Sequence, residues 1–238
     1  MADRRATIFA TCVVEMLRPR IVDATMQVLQ RAGFDTTLAQ GATCCGQPAA
    51  NAGATAAARR VARHTLRRLA RGNAPIVVPS GSCTTMIRHH WPRLFAGSRD
   101  EQTALAVGAR TYELTEFLAT IAQPSNSTPR RDPVVYHASC HLTRELEVIE
   151  QPRTALHAAG YTVNSTDDHD RCCGFGGTFS VTHADVSIAM ADDKLDAIAA
   201  TGARCVTSCD LSCLAHLEGR ATARGLSLQF PHVAELLE

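Results

Sequence analysis

The chain has 238 residues, of which 45% are hydrophobic and 20% are charged, as is typical of a soluble globular protein. Its 24 Lys and Arg residues balance 23 Asp and Glu residues, so the overall charge favours neither nucleic acid nor an anionic membrane as a partner. No apolar run approaches the roughly 18 residues needed to span a bilayer, and the amino terminus does not resemble a secretory signal. We therefore expect a cytoplasmic protein without a transmembrane segment.

The chain contains ten cysteines. Disulfides are rare in a reducing compartment, so this number indicates metal binding or redox chemistry. The alternative is that cysteines fill core space, because cysteine is among the most buried residue types. We favour that alternative only for Cys205, which lies in an apolar run, and we leave Cys209 undecided.

The first half of the chain predicts alternating strands and helices that carry cysteines between them. In chain order these are a strand over 7–12 ending in Cys12, a helix stopped by Gly33, the motif Cys44-Cys45-Gly46, a helix over 56–71, a strand over 75–79 followed by Cys83, and a closing segment over 112–118. Glycine is the usual residue at a left-handed helix stop.

The second half repeats this order. Its elements are a strand over 134–140 ending in Cys140, a helix stopped by Gly160, the motif Cys172-Cys173-Gly174, a helix over 186–200, a strand over 203–207 followed by Cys213, and a closing segment over 230–237. In both halves, 31 residues separate the lone cysteine from the cysteine pair, and a fourth cysteine follows the pair about 38 positions later.

This repeat predicts an α/β protein with two similar Rossmann-like lobes that arose by internal duplication. We expect a first lobe over 1–122, a linker over 123–133 that contains three prolines, and a second lobe over 134–238. Ligands collect at the carboxyl ends of parallel strands, and the cysteines are predicted to lie there.

The cysteine spacing favours an iron–sulfur cluster over zinc. Structural zinc sites normally use short C-x(2–4)-C knuckles, and the first half has none. Neighbouring side chains in an extended segment point in opposite directions, which suits a large cluster better than a single ion. The predicted metal ligands are the four thiols of each half: Cys12, Cys44, Cys45, Cys83, Cys140, Cys172, Cys173 and Cys213.

Glycines beside the cysteine pairs are candidates for cluster contact. Gly46 follows the first pair, and Gly174, Gly176 and Gly177 follow the second. Glycine lets backbone amides approach a bulky anion closely. The alternative is that these residues form ordinary turns before helices.

Several histidines lie near the second-half cysteines and are candidates for hydrogen bonding to a cluster, protonating a substrate, or ligation: His137, His141, His183, His216 and His232. We select His141 as the residue that supports the cluster from outside the ligand set. The first half has Val13 at the equivalent position, so this feature is not duplicated.

Three longer strings carry a family resemblance. They are residues 78–83 (VPSGSC), 136–142 (YHASCHL) and 172–181 (CCGFGGTFSV). The chain resembles the lactate utilisation protein A family. Each half also resembles the CCG domain that occurs twice in a subunit of heterodisulfide reductase and is found in the iron–sulfur subunit of glycolate oxidase.

The resemblance implies an iron–sulfur electron-transfer subunit of a complex that oxidises L-lactate to pyruvate. It would work beside a ferredoxin-like iron–sulfur protein and a third subunit, and it would meet the 2-hydroxy acid only indirectly. The reductase motif ends in C-x-x-C, whereas this chain has Ser80 and Asp210 in place of the first of those cysteines. That departure favours a 4Fe–4S cluster in each half, with Ser80 and Asp210 as possible oxygen ligands.

Two other functions remain open from the sequence. One is a cluster-based oxidoreductase that acts directly on a disulfide or a 2-hydroxy acid. The other is a non-redox binding module stabilised by zinc.

Overall fold

The computed structural model describes residues 4–121, 132–164, 166 and 171–238. The chain forms two compact units, Met1–Ala122 together with Glu238, and Gln123–Leu237, which we call the first and second lobes. Most of the predicted linker, residues 123–131, lies outside the described residues.

The first lobe is built on a four-stranded parallel sheet with the order β2-β1-β3-β4. Its strands are β1 Arg5–Ile8, β2 Asp35–Leu38, β3 Ile76–Val78 and β4 Thr111–Glu113. All three residues of β3 are buried β-branched residues, as expected for an inner strand covered on both faces.

Short helices connect these strands. They are α1 Cys12–Leu17, α2 Arg20–Arg31, α3 Gln47–Asn51, α4 Thr55–Leu69, α5 Gly81–Thr85, α6 Trp91–Phe95, α7 Glu101–Gly108 and α8 Leu114–Ile121, with a π-helical turn over Met86–His90 between α5 and α6. The predicted glycine stop after α2 is confirmed. Gly33 has a φ of +85°, and the Phe34 N–H donates back to the Leu29 carbonyl at 3.0 Å.

The second lobe contains a three-stranded parallel sheet with the order β6-β5-β7. Its strands are β5 Val134–Tyr136, β6 Val163–Asn164 and β7 Cys205–Thr207. Two parallel bridges, Cys205 to Gln229 and Ser208 to His232, place the closing segment beside β7, as β4 lies beside β3 in the first lobe.

The second-lobe helices follow the same sequence of elements. They are α9 Cys140–Arg144, α10 Gln151–Ala158, α11 Phe179–Thr182, α12 Ala184–Ala200, α13 Leu211–Ala223 and α14 Val233–Leu237. Gly160 has a φ of +88° and ends α10 as Gly33 ends α2. The predicted architecture of two similar parallel α/β lobes is confirmed.

Two strands were not predicted. β2 and β6 occupy segments that the sequence pattern treats as loops between the glycine stop and the cysteine pair. Both are edge strands of their sheets, and none of their residues is buried, so they lack the apolar sequence that marks β3. Within the described ranges, no helix is both long and apolar enough to cross a membrane.

Candidate metal centre

In the first lobe, β1 and β3 are each followed by a short helix that carries a cysteine in its first turn. Cys12 opens α1 after β1, and the Val14 N–H donates to the Thr11 hydroxyl that caps this helix, at 3.4 Å. Cys83 lies in the first turn of α5 after β3, and its N–H donates to the capping hydroxyl of Ser80 at 3.3 Å. Because β1 and β3 are adjacent and parallel, both thiols reach the same edge of the sheet.

The loop with Cys44 and Cys45 meets the same edge. Gly46 has a φ of +91°, and its N–H donates to the Cys44 sulfur at 3.3 Å. A Cβ atom at this position would lie 2.9 Å from the Ala58 carbonyl oxygen on α4, so only glycine fits here without movement. The Thr65 hydroxyl, also on α4, donates to the Cys44 carbonyl at 2.8 Å. The loop is therefore fixed against α4.

The four first-lobe thiols come together at this edge of the sheet. The Sγ atoms of Cys45 and Cys83 lie 3.2 Å apart. The Cys44 thiolate accepts hydrogen bonds from the Cys12 and Cys45 thiols and from the Gly46 N–H, which lowers the pKa of Cys44 to about 3. Donation to Cys44 raises the pKa values of Cys12 and Cys45, and burial adds to both shifts.

The second lobe reproduces this arrangement. The Gly174 N–H donates to the Cys172 sulfur at 3.4 Å. Hydrogen bonds from Cys140 and Cys173 lower the pKa of Cys172 to about 2 and raise the pKa values of the two donors. The pKa of Cys213 is also raised, because the lowering effect of its hydrogen bond with Cys173 is outweighed by burial and by the nearby Asp210 carboxylate.

Gly174 fits more tightly than Gly46. Its φ is +89°, and a Cβ atom would lie 2.5 Å from the Ser187 carbonyl oxygen on α12. The Ser187 hydroxyl donates to the Gly174 carbonyl at 2.8 Å and lies 3.2 Å from Nε2 of His216. Ala58 occupies the place of Ser187 in the first lobe and has no hydroxyl, so these side-chain hydrogen bonds are specific to the second lobe.

Gly176 and Gly177 lie in the turn that leads into α11. Both have positive φ values, +54° and +67°. A Cβ atom on Gly176 would lie 2.8 Å from Cβ of Phe179, and the Gly177 carbonyl accepts a hydrogen bond from the Ser180 hydroxyl at 2.8 Å. These contacts account for the glycines as turn residues, and their contact with a cluster stays a prediction.

The other residues singled out from the sequence have separate surroundings. Ser80 and Asp210 each precede a helix, and Asp210 accepts a hydrogen bond from the Ser212 hydroxyl at 2.8 Å. Cys209 is fully buried within the second-lobe core, where the Tyr136 hydroxyl donates to its sulfur at 3.6 Å. Burial of Cys205 on β7 raises the pKa of its thiol to about 11.

Among the histidines, the structure distinguishes His137 from His141. The His141 side chain is one-third exposed, and its Nε2 lies 3.7 Å from a carboxylate oxygen of Glu145, the residue that follows α9. His137 is 1% exposed, and one of its ring nitrogens lies within 4.8 Å of the sulfurs of Cys173 and Cys213. The supporting role of His141 stays a prediction. His137 is not in the predicted ligand set, but its ring lies beside the second-lobe thiols.

These features fit a sulfur-bound metal group. Each lobe presents four cysteine sulfurs at one sheet edge, which is the donor set of both 4Fe–4S clusters and Cys₄ zinc sites. Gly46 and Gly174 bring their backbone against a neighbouring helix, where a Cβ atom would collide with a carbonyl oxygen. The thiolates of Cys44 and Cys172 already accept backbone N–H donors, as cluster-bound sulfurs do.

A buried tryptophan also holds the first cysteine pair. The Trp91 indole N–H donates to the Cys45 carbonyl at 2.8 Å, and the side chain is fully buried. We expect Trp91→Phe to cost about 1–3 kcal/mol of unfolding free energy, because the Cys45 carbonyl loses its buried donor. Urea unfolding of the metal-free protein measures this loss.

The matched control is Phe95→Leu, because Phe95 lies on the same helix and packs edge-on against Trp91. Trp91→Phe should also reduce metal retention by the first lobe, whereas Phe95→Leu should affect stability alone. Equal metal loss in the two variants would show that the indole hydrogen bond does not support the site.

Comparison with known proteins agrees with this duplicated site. A family model described as a cysteine-rich domain, CCG, matches residues 6–88 and again residues 134–218. Each match contains all four thiols of one site and ends shortly after the fourth of them, Cys83 or Cys213. The fold and the two sites thus define the class as a protein with two CCG cysteine-rich domains.

Comparison with individual relatives identifies a family within this class. The chain is 37% identical over 234 residues to lactate utilization protein A of Anoxybacillus flavithermus, a match that covers 97% of this chain and 98% of the relative. It is 35% identical over 236 residues to the protein of that name from Geobacillus sp. strain WCH70, and 36% identical over 236 residues to that from Bacillus cytotoxicus, with 98% of each chain covered in both cases. The chain belongs to the lactate utilization protein A family.

Proposed function

We propose that the chain is an iron–sulfur electron-transfer subunit of a cytoplasmic multi-protein complex that oxidises L-lactate to pyruvate. The observation that carries the proposal is the meeting of four thiols at one sheet edge in each lobe, where the Cys44 or Cys172 sulfur accepts the N–H of the following glycine, Gly46 or Gly174. The relatives are named for lactate utilization, which supports lactate as the proposed substrate.

In this proposal the cysteines hold one cluster per lobe, most simply of the 4Fe–4S type. The ligands are Cys12, Cys44, Cys45 and Cys83 in the first lobe and Cys140, Cys172, Cys173 and Cys213 in the second. When bound, a cluster of this type accepts and donates single electrons. Oxidation of lactate to pyruvate releases two electrons and two protons, so two one-electron sites suit a relay that passes those electrons onward.

The chain's own residues would position and insulate the clusters. Cys45 and Cys173 are 1% and 2% exposed, so one ligand of each site is shielded from water. Gly46 and Gly174 direct their N–H groups at the neighbouring sulfur, which stabilises negative charge there. The proposed partners are a ferredoxin-like iron–sulfur protein and a third subunit, which would carry the contact with the 2-hydroxy acid.

Lactate oxidation assays test the relay. We expect the isolated chain, purified and loaded anaerobically, to show no lactate oxidation with an artificial electron acceptor. Activity should appear when the two proposed partner proteins are added and should be lost when this chain is left out. Lactate oxidation by the isolated chain would contradict the relay and favour direct catalysis.

Binding of a metal group should weaken as the pH falls. The lowered pKa values of Cys44 and Cys172 favour thiolates at neutral pH, whereas the raised pKa values of Cys12, Cys45, Cys140 and Cys173 favour protonated thiols in the metal-free chain. Ligation displaces these protons, so affinity should rise with pH between about 6 and 8.

Titration of the metal-free chain with Zn²⁺, as a simple probe of the thiols, measures this effect. Calorimetry in buffers of different ionisation enthalpy should report the release of more than one proton per lobe. An affinity independent of pH would show that the thiols are not the ligands.

A further inference from the structure

The two lobes differ at one buried position beside the thiols. Phe9 and His137 both lie three residues before the first cysteine of their lobe. The Phe9 N–H donates to the Val77 carbonyl at 3.0 Å, and the His137 N–H donates to the Thr207 carbonyl at 2.7 Å. Both residues therefore occupy the same place, one residue beyond the first strand of their lobe, β1 or β5.

The surroundings of the two side chains also correspond. Phe9 is fully buried in the core cluster that includes Cys45 and Cys83. His137 is 1% exposed, and its ring nitrogen lies within 4.8 Å of the sulfurs of Cys173 and Cys213, the counterparts of Cys45 and Cys83. A ring fills the position in both lobes, but only the second-lobe ring carries nitrogen.

Packing alone does not explain a histidine here. The first lobe shows that a phenyl ring fills the equivalent space, and burying a phenyl ring stabilises the fold without any polar partner. Burial of an imidazole, in contrast, costs the hydration of its polar ring nitrogens. Imidazole nitrogen together with thiolate sulfur is a common donor set for zinc and iron.

We propose that His137 supplies a ring nitrogen ligand to the metal group of the second lobe, which is thus bound through nitrogen and sulfur, whereas the first-lobe group is bound through sulfur alone. This inference rests on the proposed function, because it requires an iron–sulfur group at the thiols. In this arrangement His137 would replace one of the four thiolates assigned above to the second-lobe group, and a neutral imidazole in place of an anionic thiolate favours the reduced state of such a group. The second-lobe group would then be the better electron acceptor of the two.

Pulsed electron paramagnetic resonance of the reduced full-length chain tests the assignment. Protein labelled with ¹⁵N-histidine should show a strong histidine nitrogen coupling to the cluster spin. His137→Phe should abolish that coupling, and the phenyl ring should be tolerated because Phe9 fills the same place in the first lobe. His157→Phe is the control, since His157 lies on α10 with its Nδ1 3.1 Å from the Tyr161 carbonyl oxygen, and it should keep the coupling.

The outcomes separate this inference from the proposed function. Iron and acid-labile sulfide are measured in the same samples. If both are present and the labelled wild-type protein shows no strong histidine coupling, or if the coupling survives in His137→Phe, the assignment of His137 is overturned while the proposed function stands. If the chain binds neither iron nor sulfide, the proposed function fails and the assignment fails with it.

Discussion

Cys45→Ser and Cys173→Ser should each lose about half of the bound iron and sulfide, because each serine removes one ligand of one lobe and leaves the other lobe unchanged. Cys45 and Cys173 are the most informative positions. Both are buried, and each connects the thiolate of its site to the helix-borne thiol, Cys83 or Cys213. A serine hydroxyl is a weak ligand for iron and does not ionise at neutral pH. Iron and sulfide analysis, together with electron paramagnetic resonance of the reduced proteins, measures the loss.

Cys205→Ser is the matched control. Cys205 lies on β7 outside both four-thiol sets, and its high thiol pKa reflects burial rather than contact with other cysteines. This variant should keep all of the iron and both signals, and the double variant Cys45→Ser with Cys173→Ser should lose both. Complete loss of iron from either single variant would contradict independent binding by the two lobes.

Gly174→Ala should abolish metal binding by the second lobe. The methyl group would lie 2.5 Å from the Ser187 carbonyl oxygen and 3.0 Å from Cβ of Met190, and both atoms belong to the long helix α12. Adoption of the left-handed conformation by alanine adds about 1–3 kcal/mol of strain. The loop with Cys172 and Cys173 must move to relieve the collision, which takes its thiols away from Cys140 and Cys213. Iron content measures the loss of metal binding, and urea unfolding measures the stability lost to backbone strain.

Gly202→Ala separates collision from conformational strain. Gly202 has a φ of +71°, but nothing lies within 4 Å of an added Cβ atom. This control should lose only the stability that the strain costs and should keep its iron. In Gly46→Ala the added Cβ atom would lie 2.9 Å from the Ala58 carbonyl oxygen. This variant should lose iron from the first lobe, by an amount between the losses of Gly174→Ala and Gly202→Ala. Equal iron content in Gly174→Ala and Gly202→Ala would show that the tight fit is not required.

The sequence predicted the duplicated architecture and which thiols meet, because these depend on local patterns and simple topology. Short apolar strands followed by cysteine, in a parallel sheet, place Cys12 beside Cys83 and Cys140 beside Cys213 at one sheet edge. The glycine stops at Gly33 and Gly160 were predictable for the same reason, since a left-handed helix end strongly favours glycine.

Most of the details that distinguish the lobes could not be predicted from the sequence. The bond from Trp91 to the Cys45 carbonyl joins residues 46 positions apart, and no spacing rule connects them. His137 and His141 flank the same cysteine, and only the direction of the backbone after β5 decides which ring is buried at the thiols. The repeat itself offered one usable signal, because aligning Phe9 with His137 shows an apolar ring replaced by a polar one at a position predicted to be buried.

The most direct test of the central claim is the analysis of iron, acid-labile sulfide and zinc in the anaerobically purified chain. We expect iron and sulfide in equal amounts, with close to two 4Fe–4S clusters per chain and little zinc. Stoichiometric zinc in each lobe without acid-labile sulfide would contradict it.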